Sequence, residues 1–240
     1  MLGWVNAGLG LVYPEVCQVC GSARATVAER FLCAGCLGKV KPIRPPYCSR
    51  CGLPYEGAIT GTFECGNCRE AGLEFAFARS AVVAGEEVLQ VIHQYKYKRA
   101  YWFEPLLAEW LIRATEPELH IQSWHRLVPI PLYPAKERER EFNQAERLAK
   151  RLSRALGIPV DSSCVRRVRA TESQTRLSRE ERHQNMHKAF EAKRGAGLEG
   201  QRLVLIDDVM TTGATTSACA KALRKAGAAE VCVWTVARGV

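Results

Sequence analysis

The chain reads as an α/β protein with a mainly parallel sheet and helices on both faces, preceded by a small cysteine-rich module. Three observations predict this. Gln201 to Ile206 (QRLVLI) is an apolar run of strand length, followed by two carboxylates, a hydroxyl-rich turn with a glycine and a helical stretch ending at Gly227. That is the order of a parallel βα unit whose strand is buried on both faces. From about Phe75, short apolar runs alternate with stretches of helical period. Before that point, eight of the 11 cysteines fall into four CxxC pairs.

At 240 residues, with 47% hydrophobic content, the chain can hold one core domain of ordinary size and a small appendage. The formal net charge of +9 points to an anionic partner. Two four-thiolate zinc sites, each about −2, would lower it to about +5. Met1 to Pro14 is apolar, lacks a basic leading segment and a small-residue cleavage site, and is too short to span a bilayer. It reads as a segment packed on the cysteine module, with loose membrane or partner contact as the rival reading. No later stretch approaches a transmembrane run, so the expectation is a cytoplasmic protein without stable membrane insertion.

The cysteine pairs are Cys17/Cys20, Cys33/Cys36, Cys48/Cys51 and Cys65/Cys68. A CxxC knuckle presents two sulfurs on one side, and two knuckles complete a tetrahedron about Zn2+. Gaps of twelve and thirteen residues within the presumed sites repeat closely enough to predict tandem zinc ribbons over residues 1–72. Sequential and interleaved pairing of the knuckles both fit the spacing. Sites closed by four thiolates have no open position, so the two Zn2+ ions are expected to be structural. Cys164, Cys219 and Cys232 stand in apolar or helical contexts and read as small core residues.

In the remaining domain, 73–240, Phe75 to Ala84 reads as a strand and Val88 to Tyr95 as a helix. An aromatic and basic run, YKYKRAYW from Tyr95, precedes a helix that starts near Trp102 and buries Leu106, Leu107, Trp110 and Leu111. Aromatics interleaved with bases can stack nucleobases over a cationic groove, or grip a pyrophosphate. Leu127 to Tyr133 is a short strand whose prolines suggest an edge. Ala135 to Leu156 reads as one long helix closed by Gly157, and Ile158 to Val165 as a strand. Arg166 to His187 is highly charged and reads as a loop or lid. His183 and His187, spaced i, i+4, lack a third ligand and carry no metal reading.

The junction after Ile206 carries the chemistry. Amides at a helix N-terminus, the positive end of its dipole and Gly213 favour an anion, and the threonine hydroxyls can donate to it. Asp207 and Asp208 just upstream accept well from vicinal hydroxyls. A ribose 5-phosphate unit has both features.

VLIDDVMTTGAT resembles the phosphoribosyl pyrophosphate (PRPP) signature of the type I phosphoribosyltransferases. The resemblance implies that fold, with Asp207 and Asp208 on the ribose hydroxyls, Thr211, Thr212, Gly213, Ala214 and Thr215 at the 5′-phosphate, and Lys96 on the pyrophosphate. Asp207, Asp208 and Lys96 would then carry catalysis with Mg2+. The tandem ribbons, VPIPLYPAKERERE, FNQAERLAKRL and RATESQTRLSREERHQNMHKAF together resemble the ComF/GntX family. In its pattern Arg140, Phe142, Asn143 and Gln144 match RGFNQ, and Gln174 and Leu177 match the Q..L of a flexible loop. Arg182, Asn185 and Phe190 match R..N….F. Glu141 departs from the family glycine and predicts either backbone strain or a different local loop. The family implies a link to single-stranded DNA uptake in natural transformation, with an inner-membrane channel and a helicase as partners and a peripheral position at that membrane. A PRPP sensor, a DNA-binding adaptor and a nucleotide-salvage transferase are the alternatives.

Overall fold

The computed structural model describes residues 15–57, 59, 61–119, 124–169 and 189–240. Its centre is a four-stranded parallel sheet. The strands are β1 (Ala78–Val83), β2 (Arg126–Pro129), β5 (Arg202–Met210) and β6 (Glu230–Arg238), in spatial order β1-β6-β5-β2. A separate antiparallel pair joins β3 (Val165–Arg167) to β4 (Phe190–Ala192). Central β5 and β6 are apolar on both faces, as strands covered by helices on both sides must be.

Each helix follows from its sequence. In α3 (Glu86–Tyr97), acidic Glu86 and Glu87 suit the positive end of the helix dipole, and Val88, Val91, Ile92 and Tyr95 form one buried stripe. A 3-10 turn, Tyr101–Phe103, leads into α4 (Glu104–Leu119). Next come α5 (Pro134–Arg140) and α6 (Gln144–Leu156), and α7 (Ala214–Lys225) joins β5 to β6. Two short helices, α1 (Ala34–Leu37) and α2 (Gly66–Ala71), each carry the second cysteine of a knuckle.

The helices α3, α4 and α6 cover one face, where Val204, Ile206, Trp234 and Val236 join their apolar stripes. On the other face Leu203, Leu205, Val231 and Val233 pack with α7 and the β3–β4 pair. The cysteine module borrows both cores. Cys17, Cys33 and Cys36 belong to the first, and Cys48, Cys51 and Cys68 to the second. It also reaches the sheet edge, where Ile43 N–H donates to Ala81 O and Val83 N–H to Lys41 O, both at 2.9 Å.

Several expectations need correction. The long helix over Ala135 to Leu156 is two, because Glu141 takes a left-handed conformation (φ 66°) that caps α5, and Asn143 caps α6. Phe142 therefore leaves the helix face and packs against Tyr95 and Tyr101. The strand expected over Ile158 to Val165 reduces to one parallel bridge, Val160 with Leu127, before β3 begins. Both β1 and β2 are shorter than expected, with β2 at the edge its prolines suggested. Conversely, β5 runs through the acidic pair instead of ending there, since Asp207 pairs with Thr235 and Met210 with Arg238. No helix among the described residues is long and apolar enough to cross a membrane.

Candidate functional site

The junction of β5 and α7 lies at the carboxyl end of the central strands, where open α/β sheets bind ligands. Thr211, Thr212 and Gly213 form the connecting loop, and Gly213 has φ 80°. A β-carbon there would stand 3.5 Å from Phe75 Cζ, so the loop rests on a floor made by the segment leading into β1. Thr211 and Thr212 are exposed, and Thr212 Oγ1 accepts from Ala214 N–H at 3.3 Å. The first-turn amides of α7 and its dipole sit behind these hydroxyls, while Thr215 is half-buried.

Asp207 and Asp208 are adjacent on a strand, so their side chains leave toward opposite faces. Asp208, 2% exposed, pairs with Lys96 of α3 and accepts from Gln144 Nε2 of α6 at 3.2 Å. Gln144 Oε1 in turn accepts from Arg140 at 3.1 Å. Arg140 donates to Tyr97 Oη at 2.7 Å and lies over the Tyr97 ring. Tyr97 is the neighbour of Lys96, so the five side chains close a ring that fixes Lys96 beside the strand end. Desolvation works to raise the Asp208 carboxyl, but the Lys96 charge and the hydrogen bonds outweigh it and hold the group low.

Asp207, half-buried, faces the side of α7 and β3. Burial and the Asp208 charge push its carboxyl well above the usual range, against the opposing pull of Lys96. The Arg167 guanidinium of β3 adds a second positive charge near it and lies over the Phe190 ring at 5.4 Å. The pair thus holds one firmly ionised and one readily protonated carboxyl at a strand end, beside a loop suited to anions.

The cysteines form two groups, Cys17, Cys20, Cys33, Cys36 and Cys48, Cys51, Cys65, Cys68, with all sulfurs of a group within 4.8 Å of one another. Pairing is therefore sequential. A tetrahedral site with zinc–sulfur bonds of about 2.3 Å has sulfurs about 3.8 Å apart. Cys20–Cys33 and Cys48–Cys68 at 3.8 Å, Cys51–Cys65 at 3.7 Å and Cys65–Cys68 at 3.5 Å fit that geometry. Both groups suit structural Zn2+. Cys164, Cys219 and Cys232 are fully buried core residues.

The structure brings Lys96, Arg140, Gln144 and Asp208 together, with Thr211 to Thr215 at the end of the same strand. Asn143 stays apart. Its Oδ1 accepts from Ala145 N–H at 2.9 Å and its Nδ2 donates to Ile130 O at 3.0 Å, so it caps α6 and ties that helix to β2. Arg140, Asn143 and Gln144 thus lie on or beside helices. Gln174, Leu177, Arg182, His183, Asn185 and His187 lie outside the described residues. Glu141 does adopt the glycine-like backbone, and its carboxylate meets Arg99, also left-handed at φ 54°, at 2.5 Å. Sequence reasoning missed Arg167 and Arg238. Neither belongs to a spaced motif, since Arg167 lies on β3 opposite Phe190 and Arg238 ends β6 opposite Met210.

Two domain families match separate parts of the chain. The double zinc ribbon domain family matches residues 8–69 and the phosphoribosyl transferase domain family residues 143–239. Competence protein F of Haemophilus influenzae is 33% identical over 218 residues, covering 88% of this chain and 92% of its own. DNA utilization protein YhgH of Escherichia coli is 31% identical over 236 residues, with coverages of 96% and 93%. Competence protein ComFC of Bacillus subtilis is 29% identical over 248 residues, with coverages of 97% and 99%. Among solved structures, glutamine phosphoribosylpyrophosphate amidotransferase from B. subtilis aligns with 59% of this chain and 30% of its own, at 22% identity and a TM-score of 0.39.

Proposed function

This chain belongs to the family of competence protein F, ComFC and YhgH, and from that premise we propose that it binds PRPP with Mg2+ in the crevice beyond the carboxyl end of β5. The observation that carries the reading is the convergence of Lys96, Asp208 and Gln144 beside the Thr211–Thr215 loop. The loop amides and hydroxyls take the 5′-phosphate. Asp207 and Asp208 accept from the ribose hydroxyls, each from its own side of the strand. Lys96, parked on Asp208 without ligand, moves to the pyrophosphate. Mg2+, when bound with PRPP, would supply charge neutralisation, with Asp207 and Asp208 the carboxylates nearest to it. Ionised Asp208 also stabilises positive charge growing at the anomeric carbon as its bond to pyrophosphate breaks and the electron pair leaves with that group.

Transfer to a nucleophilic acceptor is the activity this arrangement supports. Labelled PRPP incubated with free bases, nucleotides or single-stranded DNA tests it. Pyrophosphate release with a ribosylated product establishes a transferase, and binding without turnover leaves a sensor. Calorimetry on Asp207→Asn/Asp208→Asn checks the site, since unchanged PRPP affinity in the folded double variant would sink the assignment.

A second reading, contact with single-stranded DNA, has its own observation. A groove of about 830 Å³ between the β3–β4 pair and the end of α7 is lined by Arg166, Lys193, Arg194 and Lys225, together with Phe190 and with Glu191, which pairs with Arg166. Phosphate contacts there would make binding fall steeply and log-linearly with salt. A flat salt dependence rules this reading out.

A further inference from the structure

Arg238 ends β6, far in sequence from every cysteine knuckle, yet it is 5% exposed and its guanidinium spans two functional regions. Its Nε donates to Cys51 O at 3.2 Å and its Nη2 to Cys51 Sγ at 3.6 Å. Its Nη1 donates to Met210 O at 3.2 Å, and also to the carbonyls of Thr211 and Gly239. The fork therefore holds the second cysteine cluster with one edge and the entrance of the phosphate loop with the other. A metal closed by four thiolates carries a net charge of about −2, and a buried guanidinium against one sulfur offsets part of it.

Neighbouring contacts reinforce the bridge. A β-carbon on Gly52 would stand 2.6 Å from Ala78 O, so the knuckle turn lies directly on β1. Gly52 has φ 66°, which suits it to glycine. Leu73 and Phe75, just after the knuckles, floor Gly213, and Glu74 N–H donates to Ser217 Oγ of α7 at 3.0 Å. The first cluster is attached elsewhere. Gln18 O accepts from Gln94 at 2.6 Å, Lys39 pairs with Glu87 at 2.8 Å, and Phe31 meets the Trp102 ring. Those contacts reach α3 and the turn before α4.

We infer that Arg238 is a positioning residue that links metal occupancy of the second cysteine cluster to the shape of the phosphate loop. Metal there and an anion at the loop then bind cooperatively, whereas the first cluster is not part of the linkage. The inference rests on the PRPP reading for its ligand but not for its geometry. Linkage is reciprocal, so PRPP must raise the affinity of the second cluster for its metal by the factor by which that metal tightens PRPP.

The full-length protein carrying two zinc ions is tested against Arg238→Lys and Arg238→Met. Zinc release to a chromogenic chelator is followed with and without PRPP and Mg2+, alongside calorimetric PRPP affinity. In the wild type PRPP should slow one release phase by about tenfold and leave the other unchanged. Arg238→Met should still bind two zinc ions, bind PRPP about tenfold more weakly and lose the protection. Arg238→Lys should recover only part of it, because an ammonium cannot span both partners. Equal protection in Arg238→Met, or slowing of both phases alike, overturns the linkage.

Absence of PRPP binding in the wild type rejects the functional reading alone. The bridge is then read by hydrogen exchange of peptides containing residues 211–215. Exchange several-fold faster in Arg238→Met, and in the wild type after removal of the second cluster's zinc, supports the bridge. Identical exchange in all three samples overturns it.

Discussion

Beneath α3, α4 and α6, the buried carboxylates Glu104 and Asp208 each have cations against them. Glu104 accepts from Arg151 at 2.6 Å, from Arg147 and from Tyr95 Oη, and Asp208 pairs with Lys96. Desolvation would raise both groups, and these partners hold both low. Beneath α7 and the β3–β4 pair the terms reverse, and Asp207 is pushed up. Small residues and the second cysteine cluster furnish that side. The difference teaches how one sheet serves two chemistries. The first face sets fixed charge against Lys96, and the second sets Leu73, Phe75 and the second cysteine cluster on the side of the Gly213 loop.

The comparison can be broken most forcefully through the cores. Trp234→Ala on the first face should cost about 3–5 kcal/mol and Leu223→Ala in α7 about 2–5 kcal/mol, by urea unfolding. If the faces are separate cores, the double variant should add within about 0.5 kcal/mol. A larger interaction energy would make the two faces one cooperative unit.

Glu104→Gln tests the paired face. It should cost about 2 kcal/mol at neutral pH, below the full buried-pair value because Arg147 and Arg151 stay partly in water. Since the carboxyl is depressed in the folded state, its contribution is present above the unfolded pKa and lost as pH falls through the folded one. The gap between wild type and variant should therefore close in acid. Asp207→Asn should behave oppositely. With its folded pKa raised, Asp207 contributes most when protonated, and that contribution is lost as pH rises through the raised pKa. The ligand-free variant should be more stable than wild type at neutral pH and equal to it in acid, with unfolding midpoints followed from about pH 4 to about pH 8. The smallest effect is expected at Glu141→Gly, where relief of a left-handed side chain offsets the lost exposed pair with Arg99. The net change should stay within about 0.5 kcal/mol.

Much of this plan was legible beforehand, where chemistry is written in contiguous spacing. The cysteine knuckles named their own ligands, and the run from Val204 to Thr215 announced a strand, a turn and an anion-suited helix start. Other features depend on partners distant in the chain. Helix-forming residues around Glu141 conceal the break between α5 and α6, because a charge pair with Arg99 supports a backbone that glycine would usually mark. The β6 strand follows Gly227 as VCVWTVA, a continuous apolar run without alternation, which a search for two-sided burial would have found. Arg238 meets Cys51 across the whole fold, and no local pattern foretells such a contact. The opposite orientation of Asp207 and Asp208 was available from strand period alone once the strand was known to continue to Met210.

The pairing of residues 41–43 with β1 has a consequence for behaviour in solution. An edge strand with unsatisfied amides invites other edges, and here the cysteine module occupies that row of hydrogen bonds. Stripping zinc would unfasten this selvedge and uncover a template for strand-to-strand association. Metal depletion should then be visible first as light scattering that grows with protein concentration.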